Sequence, residues 1–186
     1  TLDLLGDAAK AKGQNAWLAS EYYFSNGYFD SPQDFTRFNI MGKYTGLVGE
    51  NQSVTASFSN FKSKWNHSGQ IPLRAIKDGS IGRFGAIDNT EGGETGRTNL
   101  NLVFMKNLGD NTFFKNQVYF VKYDFELYSN FTFFLEDPVN GDQIRQKENR
   151  NIIGYNGAWS KEMNISGKRF TTEAGLQLRF DDISGN

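Results

Sequence analysis

Two short runs concentrate oxygen-bearing side chains. "DNTEGGE" at 88–94 and "EDPVNGDQ" at 136–143 alternate carboxylates and amides with other residues, a pattern that suits a hard cation such as Ca²⁺. Both lack the distal bidentate Glu at the offset a calcium loop requires. Gly92-Gly93 and Asn140-Gly141 supply the positive-φ steps of tight turns, so turn formation accounts for both runs without a metal. Arg74, Arg83 and Arg97 share one long connection with Asp88, Glu91 and Glu94. Bidentate ion pairs among them would fix the loop's shape; the other chemistry open to the arginines is recognition of an anionic ligand. His67, beside Trp65, is the one histidine, and with no cysteine in the chain it reads as a loop residue and not as a metal ligand.

The remaining carboxylates build no enzyme. Asp124 and Glu126, Glu173, and Asp181-Asp182 have no nucleophile elbow, phosphate loop or positioned partner in the sequence. No cofactor is expected. The chemistry left is binding, which loops carry when a rigid scaffold holds them. The candidate ligand-binding residues are Arg74, Arg83, Phe84, Asp88, Glu91, Arg97, Asn130, Asp137, Asn140 and Asp142. A formal net charge of −1 offers nothing to a nucleic acid.

The scaffold is read from a period of two, which only a β-strand has. Seven segments show it, at about 15–24, 36–45, 52–64, 98–106, 113–130, 151–161 and 169–180. In the second, Phe38, Ile40, Gly42 and Tyr44 oppose Arg37, Asn39, Met41 and Lys43. In the fifth, Val121, Tyr123, Phe125 and Leu127 oppose Lys122, Asp124 and Glu126. The expectation is that the odd residues of that strand form its apolar face. Thr1–Leu5 reads as the tail of an earlier strand, and "FDDISGN" as a weak candidate for a further one. The N-terminal "TLDLLGDAAKAKGQ" shows no basic n-region or long apolar core.

The medium on the apolar faces is the open question. A soluble β-sandwich or small barrel would turn them to a protein core; a membrane barrel would turn them to lipid and its charged faces to a lumen. No run of about 18 apolar residues forms a membrane helix, which does not bear on barrels. Aromatics make up 15% of the chain while mean hydropathy is −0.58, as alternate apolar residues would give. The connections decide. They alternate between long, at 25–35, 66–97 and 131–150, and short, at 46–51, 107–112 and 162–168. Long loops at one end and tight turns at the other are the outer-membrane pattern. "EYYF" and "NFTFF" fit interfacial aromatic girdles. The expected fold is all-β: antiparallel up-and-down strands forming part of a transmembrane β-barrel with long extracellular loops. Seven is an odd number, so residues 1–186 are expected to be one section of a larger barrel, with no plug domain.

A resemblance supports this. "IPLRA" at 71–75, "GSIGRFG" at 79–85, "DNTEGG" at 88–93 and "SNFTFFLEDPVNGDQ" at 129–143 occur in order between alternating strands, and "LQLRFDDI" follows. Together they resemble the β-barrel of TonB-dependent outer-membrane receptors. "NGYFDSPQDFTRFN" is similar to a further loop of that family but departs from it at Gly27, Tyr28, Phe29 and Asp30. The resemblance covers nearly the whole chain. It implies a bacterial outer-membrane location and a barrel of about 22 strands around a plug, of which this chain would supply about a third. It also implies uptake of a scarce ligand such as a siderophore, a cofactor or a glycan piece. The implied partners are outer-membrane lipid, the remaining strands and plug, TonB acting through the parent chain, and the small-molecule ligand.

Overall fold

The computed structural model describes residues 13–186 except Phe133 and Asn140. The strand expected at Thr1–Leu5 therefore lies outside the described residues. Seven strands form one antiparallel sheet in the order β1-β2-β3-β4-β5-β6-β7. They are β1 Gln14–Ser25, β2 Phe35–Gly49, β3 Gln52–Asn66, β4 Gly92–Gly109, β5 Thr112–Asn130, β6 Gln143–Ile165 and β7 Lys168–Gly185, with one short helix, α1 Leu73–Lys77. Each strand pairs only with its chain neighbours. The sheet is open, with β1 and β7 at its edges.

The strands outrun the alternating segments. β4 begins at Gly92 and β6 at Gln143, in stretches too polar or glycine-rich to show a period. "FDDISG" is no separate strand; it completes β7 against β6 from Glu148 to Ile153. The tight connections shrink to residue pairs: Glu50-Asn51, Asp110-Asn111 and Ser166-Gly167. Asp110 and Asn111 both take positive φ, at 47° and 54°, as do Ser166 and Gly167, at 52° and 76°. That backbone twists with the flanking strands, so a two-residue loop closes each of these two hairpins.

Register separates two chemistries. One row crosses the whole sheet as Leu18, Gly42, Phe58, Leu100, Phe120, Ile153 and Phe180, each paired with the next. The neighbouring row runs Ala16, Tyr44, Ala56, Leu102, Val118, Tyr155 and Leu178. These apolar rows face outward with nothing over them: Leu102 is 50% exposed and Leu178 is 56% exposed. Ala75, in α1, is the one buried hydrophobic residue among those described.

The opposite face is polar and cross-linked. Asn101 Nδ2 donates to Ser57 Oγ at 3.4 Å, Gln117 Nε2 to Asn101 Oδ1 at 2.6 Å, and Asn156 Nδ2 to Gln117 Oε1 at 3.0 Å. Asn99 Nδ2 donates to Ser59 Oγ at 2.9 Å, and the Thr45 and Thr55 hydroxyls meet at 3.0 Å. Such cross-strand pairs stabilise a sheet in the absence of a core.

One face assignment is corrected. Val118 and Phe120 lie in the apolar rows, so the even residues of β5 share that face. Val121 and Tyr123 sit opposite Asn99 and Arg97, on the polar side. Lys122, Asp124 and Glu126 continue the apolar face beyond the rows, toward the long loops. There Arg145 and Lys147 pair with Glu126 at 2.9 and 3.8 Å.

Candidate functional site

The three long connections, residues 26–34, 67–91 and 131–142, all leave one end of the sheet. The largest is not structureless, since α1 breaks it. Asp78 closes the helix, and its carboxylate accepts from the Ser80 N–H at 2.9 Å. The loop is tied to its neighbour from two sides. Asn66 N–H donates to the Gln33 carbonyl at 2.7 Å, and Asp30 N–H to the Phe84 carbonyl at 2.9 Å. The Phe84 ring stands edge-on to Tyr28 at 5.8 Å, and Tyr28 stacks on Phe29 at 4.6 Å.

At the centre lies Glu91, the last residue before β4. It is 1% exposed, the most enclosed charged group in the site. Its Oε1 accepts from the Asn130 N–H at 2.6 Å and from the Ser129 hydroxyl at 3.4 Å. Its carbonyl accepts from the His67 N–H at 3.2 Å. Glu91 thereby joins the end of β5 to both ends of the long loop. Its Oε2 is buried and has no hydrogen-bond partner. Gly69 lies against that oxygen: a Cβ there would fall 2.2 Å from Oε2, and its φ of 61° also favours glycine. His67 turns the loop here, its Nδ1 accepting from the Gly69 N–H at 3.0 Å. A cavity of about 410 Å³ opens beside these groups, walled by Phe29, Gln33, His67, Gln70, Ser129 and Phe131.

Asp88 forms a second junction. It accepts from the Thr90 N–H at 2.9 Å, the Thr90 hydroxyl at 2.6 Å, Asn130 Nδ2 at 3.4 Å and Gln143 Nε2 at 3.3 Å. Partial burial pushes its carboxyl up, but those donors outweigh burial and hold it below its usual value. Gln143 also donates to Thr90 Oγ1 at 2.7 Å, so the start of β6 is fastened to the long loop.

Asp88, Glu91 and Asn130 are thus brought together. Asp137 and Asp142 belong to a separate turn. Asp142 accepts from the Thr132 hydroxyl and from the Glu136 and Asp137 N–H groups at 2.9 and 2.8 Å. The Thr132 bond, then the backbone donors, hold its carboxyl below its usual value. Asn140 lies outside the described residues. Arg97 stands on β4, its Nε donating to Asn99 Oδ1 at 3.1 Å. The expected ion pairs do not form: among the described residues, Arg74, Arg83 and Arg97 make none with Asp88, Glu91 or Glu94. Donors from the protein itself occupy the Asp88 and Asp142 carboxylates. No group of three or more His, Asp or Glu side chains is placed to hold a metal among the described residues.

Ser129, Thr90, Gly69 and Gln143 were missed by sequence reading. The roles of Ser129 and Gln143 depend on contacts across 38 to 55 residues and that of Gly69 on backbone shape, which spacing along the chain does not carry, whereas the Asp88–Thr90 turn is local and its spacing was there to be read. Comparison of the chain with protein-family models, with curated proteins and with solved structures returned no match.

Proposed function

We propose that this sheet is an arc of the barrel of a TonB-dependent outer-membrane receptor, and that its long loops meet the ligand at the extracellular mouth. One observation carries the reading. Two apolar rows cross all seven strands uncovered, while the opposite face is knitted by amide and hydroxyl side chains. A water-soluble sheet hides its apolar face; a membrane sheet shows it to lipid and turns its polar face to the lumen. The strands, 12 to 23 residues long, are long enough for a tilted span, which needs roughly 9–11 residues. The loop motifs at 71–93 and 129–143, similar to those of the receptor family, supply the functional part: uptake of a scarce ligand, energised through TonB.

The test uses the absence of native cysteine. A fluorophore is attached to Leu102→Cys or to Asn101→Cys in outer-membrane vesicles containing brominated lipid. Quenching at 102 and none at 101 is expected. Equal exposure of both positions to water would sink the barrel reading and favour a soluble binding module whose apolar face docks on protein.

A further inference from the structure

We infer that the face carrying the apolar rows holds, just beyond them on the loop side, a binding site for the phosphate-bearing headgroup of a lipid. The inference rests on the barrel reading, which turns that face to the bilayer. On β3 to β6 the row next to the apolar ones is Asn60, Thr98, Lys122 and Asn151, each paired with the next. The apolar surface of these four strands ends there, and beyond the hydrocarbon of a bilayer lies its headgroup layer. One row further, Lys62, Gly96 and Asp124 stand side by side. Gly96 floors a dent of about 350 Å³, which Asn60 and Thr98, joined at 2.8 Å, close toward the apolar rows. A Cβ on Gly96 would meet only the Phe61 carbonyl, at 3.7 Å, so the dent is open above it.

Charge selects the headgroup. Two of the carboxylates around the dent are answered by the protein itself: Lys122 lies 3.6 Å from Asp124, and Arg145 and Lys147 lie 2.9 and 3.8 Å from Glu126. On β3, Lys62 and Lys64 are exposed, with Glu94 opposite Lys64 as the one carboxylate between them. Among the described residues neither lysine forms an ion pair. On this part of the face Lys62, Lys64, Lys122, Arg145 and Lys147 therefore outnumber Glu94, Asp124 and Glu126. The excess is positive and sits at headgroup level, where it attracts a phosphate. An uncharged headgroup would leave Lys62 uncompensated.

The experiment is native mass spectrometry of the full chain, released from non-ionic micelles doped equally with a phosphatidylglycerol and a galactosyldiacylglycerol of the same acyl chains. The phosphatidylglycerol is expected to be retained at least about 5-fold more, the preference that one lysine gives near an anionic surface. Lys62→Ala should lower that preference about 5-fold, and Lys62→Arg should keep it. Gly96→Leu fills the dent, enters open space and leaves every charge in place; it should lower the preference as well. Lys43→Ala, on the opposite face, should not. Equal retention of the two lipids, indifference to both Lys62→Ala and Gly96→Leu, or an equal loss with Lys43→Ala would overturn the inference. Lipid quenching at position 102 separates the two failures. Quenching with equal retention discards the headgroup site alone; absence of quenching discards the barrel and the site with it.

Discussion

Single carboxylates hold the loop end together, and they differ in how. Asp88 is saturated by donors from three elements of the chain. Its folded value is depressed, so its contribution to stability is present above the ordinary carboxylate range and is lost as pH falls through the depressed value. Acidification should loosen the fastening between the long loop and β6 while the central strands stay paired. The protection factor of the Thr90 amide, which donates to Asp88, should fall on acidification relative to intrinsic exchange; unchanged protection there would refute the account. Thr90→Val, which removes one hydroxyl donor, should move that loss of protection to higher pH. Of this junction, the sequence disclosed Asp88, Glu91 and Asn130, because acidic and amide residues in a glycine-containing loop are conspicuous. It could not disclose that Gln143 would close the junction from another hairpin.

Strands depend on their partners for meaning as well as for hydrogen bonds. In β5 both parities carry apolar residues: Val118 and Phe120 on one side, Val121, Tyr123, Phe125 and Leu127 on the other. Alternation within 120–130 alone points to the odd side. The neighbours reverse it, since Leu100 and Leu102 meet Phe120 and Val118 while Asn99 and Arg97 meet Val121 and Tyr123. In the other six strands the parity read from sequence is the one register puts on the apolar face, although Trp17 and Tyr23 in β1 and Val103 and Met105 in β4 lie on the opposite side. A consequence is measurable in a bilayer. Phe120→Arg should destabilise by about 2–4 kcal/mol if it lies near the midplane, and Val121→Arg should cost well under half of that. Urea titration of folding into lipid vesicles would resolve the two; equal costs would mean that the face is wrongly assigned. Strand ends were less legible than strand centres, because Gly92, Gly93 and the polar start of β6 pair through backbone groups that leave no mark on side-chain pattern.

For the whole molecule, the uncovered apolar rows and the two sheet edges left unpaired among the described residues set its solution behaviour. Both are routes to aggregation in water. The chain is expected to stay monodisperse in detergent micelles and to precipitate when detergent is removed, with β-type circular dichroism throughout the micellar range. Monodisperse behaviour in plain buffer would show that the apolar rows are covered by something other than an amphiphile. With one buried hydrophobic residue among those described, no internal core is available to take that role.

The order of the strands has one more consequence. Among the described residues, every strand is fastened only to its neighbours in chain order, with no crossover between strands. Like a folding screen, it can gain or lose panels in pairs at any hinge without rethreading the rest. The hairpin, and not the domain, is then the unit in which such a molecule can be lengthened, shortened or recombined.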